Sequence, residues 1–249
     1  GIKMIPSLSK IARSIQLIEV GSPVFYMQHS FLDEINNSYK YRTVDIQFLE
    51  FKDKISFKEL SYTYKNKNNK VFQNINLTLK KNYLTCIKGE SGTGKTTLGL
   101  CLLNILKPKG YVKIDEKKEI NLDDISKSFK IGYVDQTVKL LDNSLEYNIT
   151  FKNDLNNDEF NRLEYLIETC GLKKLRDDIF NRNIKTLGED SKFISGGEKQ
   201  RISIARTLFL NPDFIIFDEP TSSLDLENQK KIMELIKKIK TNKIIVVIY

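Results

Sequence analysis

The apolar positions change rhythm along the chain. Met4, Leu8, Ile11, Ile15 and Ile18 recur at alternating spacings of four and three, which lays them on one helical face. Gly21 breaks the pattern, and Ser22-Pro23 offers an N-cap and a first-turn proline. Val24, Met27, Phe31 and Ile35 then continue at helical spacing up to Asn36–Ser38. This stripe has no evident partner within so short a segment, so residues 1–45 read as a helical lead.

From Ile46 the rhythm becomes that of strands. Ile75, Leu77 and Leu79 alternate with Asn74, Asn76, Thr78 and Lys80, a half-buried strand. Tyr83–Lys88 is a short apolar strand running into Gly89, and a helix is expected over Lys95–Leu106, closed by Lys107-Pro108. Further strands are expected at Tyr111–Ile114, Ile131–Val134, Phe214–Phe217 and Lys243–Tyr249, with helices at Phe160–Cys170, Glu198–Leu210 and Leu226–Lys240. Apolar strands alternating with helices predict an α/β fold with a mostly parallel sheet. The strands before the first of these helices predict an additional antiparallel piece. Residues 138–196 carry helix and loop patterns without a strong strand and read as an inserted helical subdomain of a domain over 46–249.

Two segments carry chemistry. "GESGTGKTT" follows a strand and opens a helix, the context of a phosphate-binding P-loop. Gly89, Glu90, Ser91, Gly92, Thr93 and Gly94 would close backbone N–H groups around phosphate oxygens at a helix N-terminus. Lys95 is the point charge for β- and γ-phosphates, Thr96 a hydroxyl for Mg²⁺, and Thr97 reaches the α-phosphate. "FIIFDEP" is an apolar strand ending in Asp218 and Glu219, where ligand sites of α/β sheets lie. One carboxylate can hold Mg²⁺ and the next can act as general base on water.

With these, the chain resembles the nucleotide-binding domain of an ABC ATPase of the exporter type. "ISGGEKQR" resembles the family signature, with Ile194 and Glu198 replacing its leucine and glutamine. "TSSLD", ending at Asp225, resembles the D-loop, and "IGYVDQ" resembles the strand leading to the Q-loop glutamine, Gln136. "LSYTY" resembles the A-loop, making Tyr64, or else Tyr62, the ring that stacks on adenine. The resemblance implies a P-loop, RecA-like fold whose cofactors are ATP and Mg²⁺. It gives Glu219 the role of general base, with Asp218, Thr96 and Gln136 at the metal. It also implies two copies paired head to tail, so that Ser195, Gly196 and Gly197 meet the ATP on the other copy's P-loop. Thr186–Asp190 resembles the exporter X-loop. Leu140–Ile149 resembles the segment that receives a coupling helix of the transmembrane domain. Met4–Glu19 resembles the cytoplasmic end of an exporter's last transmembrane helix, and its "IPS" resembles lipid-linked oligosaccharide flippases. The expected place is therefore the cytoplasmic face of a membrane.

Bulk properties alter this picture little. Of 249 residues, 40% are hydrophobic and 29% charged. No apolar run reaches the ~18 residues of a bilayer span, and the first residues lack a signal-peptide layout. Cys86, Cys101 and Cys170 have no paired spacing and read as reduced and structural. The net charge of +8 is spread along the chain and reads as a solvated basic surface. A nucleic-acid ABC ATPase would separate P-loop and signature by long coiled coils, which the short interval from Lys95 to Ser195 excludes. A regulatory, non-hydrolytic cassette is disfavoured by intact Lys95, Asp218 and Glu219. The one histidine, His29, lies far from the strand at Lys243–Tyr249, after which the family places its H-loop histidine. Slow hydrolysis by the chain as written is the corresponding expectation.

Overall fold

The computed structural model describes residues 51–64, 70–125, 129–188, 193–222 and 224–249. The N-terminal helical stripes, and Glu189 and Asp190 of the X-loop-like segment, lie outside the described residues.

Two sheets share one core. The first is antiparallel in the order β2-β1-β4-β5, with β1 Lys54–Tyr62, β2 Phe72–Lys80, β4 Lys109–Ile114 and β5 Lys118–Asn121. Its register sets Ile55 opposite Leu79 and Phe57 opposite Leu77, so apolar side chains stack on one face. The β4–β5 turn carries Asp115 and Glu116 at φ 50 and 57, the left-handed pair of a tight hairpin. The second sheet is parallel in the order β3-β8-β7-β6, with β3 Leu84–Ile87, β6 Ile131–Val134, β7 Phe214–Asp218 and β8 Ile244–Ile248.

Every residue of β7 and β8 is buried. Their apolar runs are explained by cover on both faces. Phe214, Ile216, Ile244, Val246 and Ile248 point to one side and join Phe57, Leu60, Leu102 and Val112. Ile215, Phe217, Ile245 and Val247 point to the other and join Leu163, Ile202, Ile204 and Ile232. Each fully buried side chain of this size contributes about 1.5–3 kcal/mol relative to exposure, so two layers of them fix the sheet firmly.

Helices supply the cover. α1 spans Lys95–Leu102, α5 Gly196–Phe209 and α6 Leu226–Lys238. α1 stops four residues short of the expected end, because Asn104 turns left-handed at φ 56. Between Val138 and Ile194 the described residues hold three helices and no strand: α2 Leu145–Thr150, α3 Asn157–Thr169 and α4 Lys173–Asn181. α3 opens on a capping box of Asn156 and Glu159 and buries Leu163, Leu166 and Ile167. Its Arg162 donates to the carbonyls of Leu208 and Phe209, closing the C-terminus of α5. Cys101 and Cys170 are buried free thiols, each pushed up to about 12 by burial. Cys86 is also free but, unlike the other two, exposed.

Candidate functional site

β3 delivers the chain to Gly89 and α1 begins at Lys95, so the glycine-rich loop bridges a strand of the parallel sheet and a helix start. Gly94 sits at φ 90, and a Cβ there would come within 2.5 Å of Val71 Cγ1, so only glycine fits. Gly94 is also the N-cap of α1 and gives no side-chain cap, which leaves the first N–H groups of the helix for a ligand. Thr93 Oγ1 donates to the Glu90 carbonyl at 2.8 Å. The Lys95 ammonium donates to the carbonyls of Gly89 and Glu90, both at 2.9 Å, and so lies across the loop.

Opposite the loop, β7 ends in Asp218 and Glu219. Asp218 is 3% exposed. Its Oδ2 accepts from the Tyr133 hydroxyl at 2.8 Å, while its Oδ1 is buried with no partner. Burial, and then the Asp218 carboxylate, pushes the Tyr133 phenol well up, so it stays protonated as a donor. Glu219 turns left-handed at φ 43, its N–H donating to the Ile248 carbonyl at 3.0 Å. Its carboxylate accepts from Gln136 Nε2 at 2.8 Å, and the same nitrogen lies 3.1 Å from Ser222 Oγ. A cavity of about 260 Å³ is lined by Gly89, Ser91, Lys95, Glu219, Thr221 and Ser222, with Tyr249 beside them. Loop and carboxylate strand therefore face one space.

Tyr64 meets the first turn of α1, where its hydroxyl shares a 2.9 Å hydrogen bond with Thr97 Oγ1. Its ring meets Tyr62 edge-on at 5.1 Å. Tyr64 is 37% exposed and so keeps a free ring surface. Of the two tyrosines, Tyr64 is the one bonded to the helix that carries the loop.

Ser195, Gly196 and Gly197 do not line the cavity. Ser195 caps α5, and Glu198 closes a capping box, accepting from the Ser195 N–H at 2.9 Å and from its hydroxyl at 2.7 Å. The signature-like turn thus has a local task as well. Gly197 has another, since a Cβ there would stand 2.7 Å from Asn228 Oδ1 on α6. Asn228 in turn donates from its backbone N–H and its side-chain amide to Asp225, the N-cap of α6, and holds that carboxyl below its ordinary range.

Among the described residues no group of three or more His, Cys, Asp or Glu could hold a metal ion. The residues nevertheless suit Mg²⁺ shared with phosphate. Asp218 Oδ1 is a buried anionic oxygen without a partner, and a hard oxygen-seeking cation would satisfy it. Tyr133 was not legible as a site residue. The signal lies in pairing, because Tyr133 stands opposite Ile216 and Asp218 is two residues further along the same face.

A glycine-rich loop on a parallel sheet, facing a carboxylate strand, defines a P-loop nucleotide-binding protein. The sequence pattern of the family described as "ABC transporter" matches residues 72–222, and the chain belongs to that family. It is 33% identical over 196 residues to a putative export ATP-binding/permease protein of Rickettsia typhi, covering 77% of this chain and 33% of that protein. It is 34% identical over 200 residues to the leukotoxin translocation ATP-binding protein LktB of a Pasteurella haemolytica-like strain, covering 80% of this chain and 28% of that protein. It is also 34% identical over 178 residues to the energy-coupling factor transporter ATP-binding protein EcfA1 of Mycoplasmopsis synoviae, covering 70% of this chain and 64% of that protein. A solved bacterial Atm1-family ABC exporter with ATP bound has a similar fold, with TM-score 0.67 and 22% identity, over 84% of this chain and 36% of that one. The chain therefore spans about a third of the length of the export proteins it matches.

Proposed function

We propose that the chain is the Mg-ATP-hydrolysing cassette of an ABC exporter, working through ATP-driven head-to-tail pairing of two copies. The observation that carries this is the division of the site. The P-loop and Glu219 line one cavity, whereas the second glycine-rich turn is capped and exposed at Ser195 outside it.

Tyr64 stacks on adenine and Lys95 neutralises the β- and γ-phosphates. Thr96, Asp218 and Gln136 would hold Mg²⁺, which would neutralise charge developing on the phosphate oxygens. Glu219 takes a proton from the attacking water as its oxygen bonds the γ-phosphorus, and the bond to the β–γ bridging oxygen breaks to release ADP. The Gln136 bond to Glu219 holds that carboxylate at the cavity's wall. Ser195, Gly196 and Gly197 of a second copy meet the γ-phosphate from the far side, with the positive end of α5 behind them.

The exporter assignment draws support from relatives named for export and translocation, and from the groove by α2. That groove, about 480 Å³, is lined by Leu145, Glu146, Arg176, Ile179 and Phe180 among others, and Phe180 is 83% exposed. It borders the segment Leu140–Ile149 and suits a coupling helix of a transmembrane domain; the proposed working place of the cassette is accordingly the cytoplasmic face of the membrane. Nucleic acid is not among the proposed partners.

The experiment is Glu219→Gln. ATP binding should persist while turnover falls about 10²–10⁴-fold, the usual worth of a general base. Unchanged turnover would remove Glu219 from the role and the reading with it.

A further inference from the structure

The free oxygen of a metal-binding carboxylate has to be aimed, and a neighbouring side chain that holds the other oxygen can aim it. β6 and β7 run parallel in the register Ile131 to Phe214, Tyr133 to Ile216 and Val134 to Phe217. Side chains alternate faces along a strand, so Tyr133, Ile216 and Asp218 share one face, with Asp218 diagonal to Tyr133. A diagonal neighbour lies roughly 7–8 Å away between Cα atoms, a span that a long aromatic side chain can bridge. Tyr133 does bridge it, with its ring packed against the core beneath α1 and its hydroxyl 2.8 Å from Asp218 Oδ2.

Three facts turn this contact into more than packing. Asp218 is almost fully buried, so water does not compete for its oxygens. Among the described residues the Tyr133 hydroxyl is the hydrogen-bond donor to the Asp218 side chain, and it takes Oδ2 alone. Oδ1 is left buried and unpartnered, which is costly unless something else satisfies it. A carboxylate with one oxygen pinned cannot rotate to present both, so the direction of the free oxygen is set by the phenol.

We infer that Tyr133 is a positioning residue of the Mg²⁺ site, pinning one oxygen of Asp218 so that the other faces the metal. This rests on the proposed reading of Asp218 as the metal carboxylate. The bond also orients Asp218 before nucleotide arrives. Partners of this kind usually carry about 10–100-fold in metal affinity.

The test uses the whole chain with ATP bound and Mn²⁺ in place of Mg²⁺, its retention read from the loss of the free-ion EPR signal. ATP affinity is measured separately in EDTA. Tyr133→Phe keeps the ring and removes the donor. It should weaken Mn²⁺ retention by about 10–100-fold while leaving EDTA-phase ATP affinity and the melting temperature close to those of the parent. Tyr133→Met, a flexible apolar filler, should do the same if the phenylalanine variant folds poorly. Asp218→Asn should weaken Mn²⁺ at least as much, and adding Tyr133→Phe to it should produce no further loss. If Asp218→Asn has no effect, the reading of Asp218 as a metal carboxylate fails. If Asp218→Asn weakens Mn²⁺ but Tyr133→Phe and Tyr133→Met do not, that reading stands and the inference alone is overturned. An additive loss in the double variant also overturns it, because Tyr133 would then act by another route.

Discussion

At the scale of single residues, Tyr64 separates two jobs that its phenol could do. The ring is open for stacking, and the hydroxyl is bonded to Thr97 on the first turn of α1. If adenine binds through the ring, Tyr64→Phe should leave ATP affinity within about fivefold, since a neutral, part-buried hydroxyl pair is worth about 1 kcal/mol. Tyr64→Ala should weaken it about 5–100-fold, the cost of a lost base–aromatic stack of ~1–3 kcal/mol. Equal losses in both variants, by fluorescent-nucleotide titration, would assign the effect to the hydroxyl instead. The proposed roles of Lys95, Asp218 and Glu219 could be read from the sequence because each stands in a short, ordered run next to a strand. Tyr133 was not, because its partner is set by register between strands that lie far apart in sequence. The second task of Gly197 was hidden for the same reason. Its neighbour, Asn228, lies on another helix.

That neighbour matters at the scale of elements, where α5 and α6 meet. Asn228 touches both: it donates to Asp225 at the start of α6 at 2.7 Å, and accepts from Arg201 of α5 at 3.4 Å. A methyl at Gly197 would overlap Asn228 Oδ1 and Cγ, at 2.7 and 2.8 Å. Alanine gains up to ~1 kcal/mol of helix propensity, less in a first turn, against ~1–3 kcal/mol for overpacking. The clash wins, so Gly197→Ala should lower the melting temperature by roughly 2–8 °C for a domain of this size. Adding Asn228→Ala removes the two closest atoms and should recover part of the loss. No recovery would mean that the strain arises elsewhere. Elements themselves were legible in proportion to their length and burial. β6, β7 and β8 fell within a residue or two of the expected spans, β7 and β8 because unbroken apolar runs mark strands covered on both faces. β1, β5, α2 and α4 were given no span of their own, although residues 138–196 were expected to hold helices. Lys118–Asn121 offers a single apolar residue, Leu145–Thr150 is less than two turns, and Lys173–Asn181 buries only Leu175.

At the scale of the whole molecule the question is which copy owns which half of the site. The cavity is lined by P-loop residues and Glu219, and Ser195 stands outside it, so under the proposed pairing one copy would give each ATP only one of its two glycine-rich turns. This division predicts complementation. In a Glu219→Gln background, which holds ATP without turning it over, Lys95→Ala should abolish ATP binding to the P-loop and so prevent pairing. Ser195→Arg should leave ATP binding by the single copy nearly intact, but set a long cation where the γ-phosphate of the other copy must approach the turn. Neither variant should pair with itself in MgATP. Mixed, they create one complete site, with the P-loop of the Ser195→Arg copy and the turn of the Lys95→Ala copy. The second site in that mixed pair carries both defects. Size-exclusion chromatography with light scattering should therefore show an ATP-dependent dimer only in the mixture, holding one nucleotide per pair. If both halves served the same copy, each variant would be defective by itself and mixing could restore nothing. A mixture that stays monomeric, with each variant folded and Ser195→Arg still binding ATP, would return the second turn to its own copy and end the head-to-tail reading.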